Sequence, residues 1–238
     1  MLKETVKRLL PGLLDNALLN FKNNHLDGHA NKSYSQEGED LILRRLFEHK
    51  SDGFYVDVGA HHPMRFSNTY LFYRKGWHGI NIDAMPGSMK AFNRKRKRDI
   101  NLEIPVSDKR ETLTYYMFNE PALNGFSREL SRERDGHGDY RVIAKQDITT
   151  ATLEEILDKY LPDGQEIDFM SVDVEGLDLQ VIKSSNWEKY RPAYVLAEIL
   201  NSSLETLAAS DIHAFLAKAG YAPYAKTVHT VVFKRIDA

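Results

Sequence analysis

Apolar residues recur along this chain in two rhythms, and each rhythm predicts a kind of element. Spacings of three and four mark helices. Leu2, Val6, Leu9, Leu10, Leu13, Leu14, Ala17, Leu18 and Phe21 predict an amphipathic helix or helix pair punctuated by Pro11-Gly12, with Lys3, Lys7, Arg8 and Lys22 on its other side. The polar, glycine-bearing stretch 23–32 reads as a linker, so residues 1–32 form an extension and 33–238 the main domain. Short apolar runs that end in an acid or a polar turn mark buried strands at 54–57, 77–83, 101–106, 167–173 and 193–198. Between them, helical stripes begin near Gln36 or Glu37, at Asn68, at Met85, at Thr152 (where Glu155 completes a capping box), around Leu179 and at Ser210. Thr112 to Phe118 alternates as a short antiparallel excursion, Val142 to Thr149 is another strand, and the tail from Tyr221 to Arg235 is a hairpin. Strands alternating with helices predict a doubly wound, Rossmann-like α/β fold with a mostly parallel sheet and an antiparallel C-terminal edge. The polar stretch 119–140, with Asn124-Gly125, Gly136 and Gly138, is expected to be a structureless substrate lid.

Composition narrows the function only slightly. The chain has 238 residues, with 32 basic against 34 acidic side chains, so its charge makes no global case for nucleic acid. The absence of cysteine removes disulfides, thiolate metal sites and cysteine nucleophiles together. No apolar run approaches the ~20 residues of a membrane span, and a cytoplasmic protein is expected. Packing of the N-terminal helix on its own chain or on a second subunit is the expected use of its apolar stripe, with peripheral membrane contact as the alternative.

The candidate chemistry lies where the strands end. Phe54-Tyr55-Val56-Asp57-Val58-Gly59-Ala60-His61-His62-Pro63 is a buried strand that hands over to a loop, which in an open parallel sheet is where a ligand meets the protein. Only Gly59 permits close backbone approach. The three-glycine pattern that seats a pyrophosphate is missing, so a nucleoside without a diphosphate fits better than a nicotinamide dinucleotide. Asp83, 24 residues beyond Gly59, stands where such units place a carboxylate on ribose hydroxyls. Asp173, Glu175 and Glu198 close or follow the later strands, and several acids at strand ends converge on one crevice in this architecture. The basic run Arg94 to Arg98 is read as a solvated helix end. Arg128, Arg132, Arg134 and His137 are read as solvent-facing, with contact to an anionic acceptor as the alternative.

Taken jointly, Ser35-Gln36-Glu37-Gly38-Glu39-Asp40, Val56 to Pro63, Ser67-Asn68-Thr69, Gly76 to Pro86 and Ser171-Val172-Asp173-Val174-Glu175-Gly176 resemble the signature blocks of the FkbM family of S-adenosylmethionine-dependent methyltransferases. The likeness spans roughly residues 33–200 and departs from the usual glycine-rich turn at His61-His62-Pro63. It implies a seven-stranded methyltransferase sheet, S-adenosylmethionine as donor, and transfer to a hydroxyl, in many relatives that of a sugar on a natural product or surface glycan. Asp57, Gly59 and Ala60 would line the donor's methionine and ribose part, and Asp83 would hold the ribose. Ser107 and Asp108 would flank adenine, while Gln36 and Asn68 would touch the methionine end. Glu175 is the expected base, because it sits just past the fourth core strand, where an acceptor approaches, and Asp173 would orient the acceptor or bind the donor's amino group. The alternative has Asp173 and Glu198 hold a magnesium ion that gathers two sugar hydroxyls. No Asn/Asp-Pro-Pro-aromatic run follows that strand, which points to oxygen rather than a base nitrogen as acceptor. The rival readings are a nicotinamide-dependent oxidoreductase and a non-catalytic interaction protein that docks through its N-terminal helix.

Overall fold

The computed structural model describes residues 11–26 and 28–237, and contacts divide the chain into Met1–Ser33 and Tyr34–Ala238. Helix α1 (Pro11–His25) belongs to the first unit; Pro11 opens it, a position where a missing backbone donor costs little. The stripe expected from Leu2 to Leu10 lies outside the described residues.

The second unit is built on one sheet in the order β3-β2-β1-β6-β7-β9-β8. Its strands are β1 (Phe54–Val58), β2 (His78–Asp83), β3 (Ile100–Glu103), β6 (Phe169–Val172), β7 (Tyr194–Glu198), β8 (Tyr221–Lys226) and β9 (Thr230–Arg235). β3, β2, β1, β6 and β7 are mutually parallel, while β9 runs antiparallel to β7 and β8 to β9. This is the mostly parallel α/β sheet with an antiparallel C-terminal hairpin that the sequence predicts. Strand order reverses between β1 and β6, so a crevice opens above their carboxyl ends.

Residues that alternate along β1 feed different layers. Phe54, Val56 and Val58 join Leu153, Ile156 and Leu157 of helix α6 (Leu153–Tyr160) and Leu216 of helix α8 (Asp211–Lys218) in the larger core. Tyr55 packs on the opposite face with Leu43 of helix α2 (Glu39–Leu46), with Phe72 of helix α3 (Tyr70–Arg74), and with Trp77 and Phe169. Both sheet faces are therefore covered, which is why the parallel strands read as continuous apolar runs. The exception is a polar row near the upper rim: Asn101, Asn81, Asp57 and Ser171 are register neighbours across β3, β2, β1 and β6.

Three sequence expectations change. The helix expected from Met85 to Arg98 is shortened to α4 (Met89–Lys95), because Gly87 takes a left-handed φ of 84° before it and Arg96 leaves the helix after it. Arg96 is not solvated; it is wholly buried. The stretch 119–140 is not structureless, for it holds a 3-10 turn (Pro121–Leu123) and helix α5 (Arg128–Arg134). Ser127 caps α5 by accepting from the Leu130 amide, and Glu120 caps the turn by accepting from Ala122. Alongside, β4 (Thr112–Phe118) and β5 (Val142–Thr149) form the expected antiparallel pair as a separate two-stranded sheet. Ser210 occupies the N-cap position of α8 but makes no side-chain cap bond.

Candidate active site

A partly open cleft, about 810 Å³ counting the space continuous with solvent, lies where β1, β2 and β6 end. Its lining includes Gly59, His61, Asp83 and Met85 from the first two strands and the loops after them, Asp173, Val174 and Glu175 after β6, and Ile104, Val106, Tyr115 and Phe126. Gly59 sets how closely the β1 and β6 loops meet. It holds a φ of 84°, and a Cβ there would lie 1.7 Å from the carbonyl oxygen of Asp173. Only a residue without a side chain lets the β1 and β6 loops touch backbone to backbone.

Asp83 is nearly buried at the end of β2 and shapes the loops beside it. Its Oδ2 accepts from the His61 amide at 2.8 Å, and its Oδ1 from the Met85 amide at 2.7 Å. Burial pushes its pKa up, while those amide donors pull it back down. Each oxygen keeps a second lone pair for a ligand hydroxyl. His61 follows in a strained, left-handed conformation, φ 51°, its ring stacked near Phe66 and its Nε2 buried without a hydrogen-bond partner among the described residues. Burial and the Arg65 charge hold His61 below the usual histidine range. His62 turns away: its Nδ1 accepts from the Met64 and Arg65 amides at 3.1 and 2.9 Å and so closes the turn.

The acidic end is electrostatically tense. The Asp173 side chain faces the open cleft but sits deep among protein atoms, and it has no hydrogen-bond partner among the described residues. Its pKa is raised well above the ordinary value by burial first, then by Glu198, Glu175, Asp178 and Asp57. Glu198 is pushed up to about 8 by burial and by Glu175 and Asp178. Glu175 is raised by burial, which outweighs the opposing pull of Arg134, whose Nη1 donates to Glu175 Oε2 at 2.5 Å. Asp178, in helix α7 (Asp178–Lys183), serves the loop itself by accepting from the Val174 and Gly176 amides at 3.1 and 3.2 Å. Glu175 and Gly176 both adopt positive φ, 53° and 97°, so this loop is bent sharply to present Glu175. Among the described residues, no group of three or more His, Cys, Asp or Glu side chains is disposed to hold a metal ion.

A crevice at the strand-order reversal, with one carboxylate closing the second strand and a pair following the fourth parallel strand, is where an open parallel sheet receives a ligand. A family model described as the methyltransferase FkbM domain matches residues 57–223. The chain belongs to the FkbM methyltransferase family. No curated protein and no solved structure matches it.

FkbM membership makes the placement of each expected residue informative. Gln36, Gly59, Asp83, Asp173 and Glu175 are brought together on the cleft lining. Asp57 lies just beneath it, 5% exposed, accepting from Thr69 Oγ1 at 2.9 Å. Asn68 donates to Ser171 Oγ at 3.0 Å, and Ala60 packs against Met89 and Phe92. Glu198 stands outside the lining. Ser107 is buried, its amide bonded to the Ala151 carbonyl, and Asp108 is exposed; neither lines the cleft, whereas Ile104 and Val106 just before them do. What the sequence did not reveal is Arg134 on Glu175 and the contribution of Tyr115, Asn124 and Phe126. These come from β4 and the segment after it, where no periodic pattern announces a site. The donor that the FkbM family implies would meet at this cleft the Asp83 carboxylate and the apolar side chains of Met85, Ile104 and Val106 with the Tyr115 ring, a donor set whose chemistry suits a nucleoside.

Among the described residues no helix is long and apolar enough to cross a membrane.

Proposed function

We propose that the protein is an S-adenosylmethionine-dependent O-methyltransferase acting on a hydroxyl, in our reading one carried by a sugar of a glycan or glycosylated natural product. The observation that carries this reading is that one cleft of an FkbM-family chain is lined by Gly59 and Asp83 from β1 and β2 and by Asp173 and Glu175 after β6. When bound, the donor supplies an electrophilic methyl on sulfur. The chain's own residues then have two tasks, to align an alcohol oxygen and to take its proton. Glu175 takes the proton. Burial keeps its proton affinity above that of a free glutamate, and Arg134 fixes the direction of its carboxylate. Asp173, open to the cleft beside it, accepts a hydrogen bond from the acceptor and orients it. The proton thus leaves the hydroxyl for Glu175 as the carbon–oxygen bond forms and the carbon–sulfur bond breaks. Asp173 and Glu198 lack a third converging ligand among the described residues, so no step is assigned to magnesium.

The test is transfer of labelled methyl from S-adenosylmethionine to a panel of mono- and oligosaccharides, with an amine and a peptide panel alongside. Label should enter sugar hydroxyls, and Glu175→Gln should bind S-adenosylhomocysteine like the wild type while losing turnover. Label entering only the amine or peptide panel would contradict the acceptor class; full turnover by Glu175→Gln would contradict the base.

A further inference from the structure

We infer that Arg96 is a positioning residue of the donor site, fixing from beneath both the Pro63 loop that presents His61 to the cleft and, through Thr69, the carboxylate of Asp57. The inference rests on the donor reading above.

Arg96 is fully buried, and every arm of its guanidinium is used. Nε pairs with Asp99 Oδ2 at 2.8 Å, Nη1 donates to the Pro63 carbonyl at 3.0 Å, and Nη2 donates to Tyr55 Oη at 2.8 Å and Thr69 Oγ1 at 2.9 Å. Thr69 passes the connection on, donating its proton to Asp57 Oδ2 at 2.9 Å. Asp99 is itself held by Tyr55 Oη, the Gly79 amide and Asn81 Nδ2, so the cation is anchored to β1 and β2. The network covers the polar row near the sheet rim.

Two features tie that network to the site rather than to packing alone. The first is the loop. His61 and Phe66 both hold positive φ, 51° and 54°, conformations a non-glycine residue keeps only when its surroundings impose them. The Pro63 carbonyl between them is gripped by Arg96, and both residues line the cleft. The second is Asp57. Burial pushes its pKa up to about 6, and the Thr69 hydrogen bond and the Arg96 charge are what pull it down, while Asp99 and Asp83 push it higher. Asp57 is also close enough to Asp173 to push that residue's pKa up. Loss of the Thr69 hydrogen bond or of the Arg96 charge would therefore push the Asp57 pKa higher still. A wholly apolar substitute of similar size would fill the space but hold neither the loop nor the charge.

The experiment is calorimetric titration of S-adenosylhomocysteine into the full chain between about pH 5 and pH 8.5, for wild type, Thr69→Val, Thr69→Ser and Arg96→Lys. Thr69→Val keeps the shape and removes only the relay, so it stays informative even where Arg96→Lys fails to fold. We expect Thr69→Val to bind at least fivefold more weakly at pH 7, with the pH at which affinity is lost moved upward, and Thr69→Ser to restore the wild-type profile. A Thr69→Val profile identical to wild type would overturn the assignment. Weaker binding with an unmoved profile that Thr69→Ser does not rescue would reduce it to packing, and so also overturn it. Absence of binding by the wild type at every pH would instead overturn the donor reading, and this inference with it.

Discussion

Replacing Gly59 by alanine should damage the protein and its ligand site together, by an amount the geometry sets. The residue has φ 84°, where a Cβ costs about 1–2 kcal/mol in backbone strain alone. The new methyl would stand 1.7 Å from the Asp173 carbonyl oxygen and 2.7 Å from its carbon, so the two loops must part by roughly 1.5 Å or more to reach ordinary contact. Neither side yields easily. Gly59 N donates to Ile82 O at 2.9 Å, and Asp173 N to Val58 O at 3.0 Å, so each loop continues a central strand of the sheet. Strain plus displaced backbone hydrogen bonds amounts to roughly 3–5 kcal/mol, at the severe end of single substitutions. Urea unfolding of Gly59→Ala should register that loss, and calorimetry on the folded fraction should show S-adenosylhomocysteine affinity down by more than about tenfold, equivalent to ~1.4 kcal/mol. Stability within about 1 kcal/mol of wild type together with unchanged affinity would refute the reasoning.

Three further outcomes follow from the same geometry. Asp83→Asn leaves one acceptor oxygen for the two amides of His61 and Met85, so it should lose about 1–3 kcal/mol of stability by urea unfolding and weaken S-adenosylhomocysteine binding by a similar energy; intact values for both would remove Asp83 from the site. Arg134→Gln frees Glu175 to reorient and raises its pKa further, so the pH at which turnover reaches half its maximum should rise, and an unchanged pH–rate profile would detach Arg134 from the chemistry. Stability should fall as pH rises. Asp57 and Asp178 keep their protons to about 6 rather than the ordinary 3.8, and Glu198 to about 8 rather than 4.5, so the folded state binds more protons than the unfolded chain in that window. The stabilisation is complete below about pH 4 and lost as pH rises through 6 and then 8; each buried aspartate accounts for up to about 3 kcal/mol. Thermal unfolding of Glu198→Gln should therefore match wild type near about pH 4.5 and exceed it near about pH 8.5, and a flat wild-type profile would contradict the burial argument.

The core was plain in the sequence for a physical reason. A strand buried on both faces must be apolar along its length, and the runs ending at Asp57, Asp83 and Asp173 have no other stable placement than the middle of a covered sheet. The acids closing them stand out because a carboxylate at a buried strand end needs donors or a ligand. What hid was interaction without period. Arg96 sits in a run of five basic residues that reads as a solvated helix end, and nothing local distinguishes the one whose partners, Asp99 apart, lie on distant strands and loops. Helix α5 is almost entirely polar, so it carries no apolar stripe to betray it, yet it brings Arg134 onto Glu175. Ser107 and Asp108 follow an apolar run that reads as strand to Val106, but β3 ends earlier, at Glu103, and Ile104 and Val106 meet the cleft instead.

The most direct test of the central claim is a crystal structure of the protein soaked with S-adenosylhomocysteine. The account predicts the adenosine ribose hydroxyls on Asp83, the backbone of Gly59 against the ligand, and the sulfur turned toward Asp173 and Glu175. Ligand bound elsewhere, or in the cleft with its sulfur turned away from those two carboxylates, would contradict it.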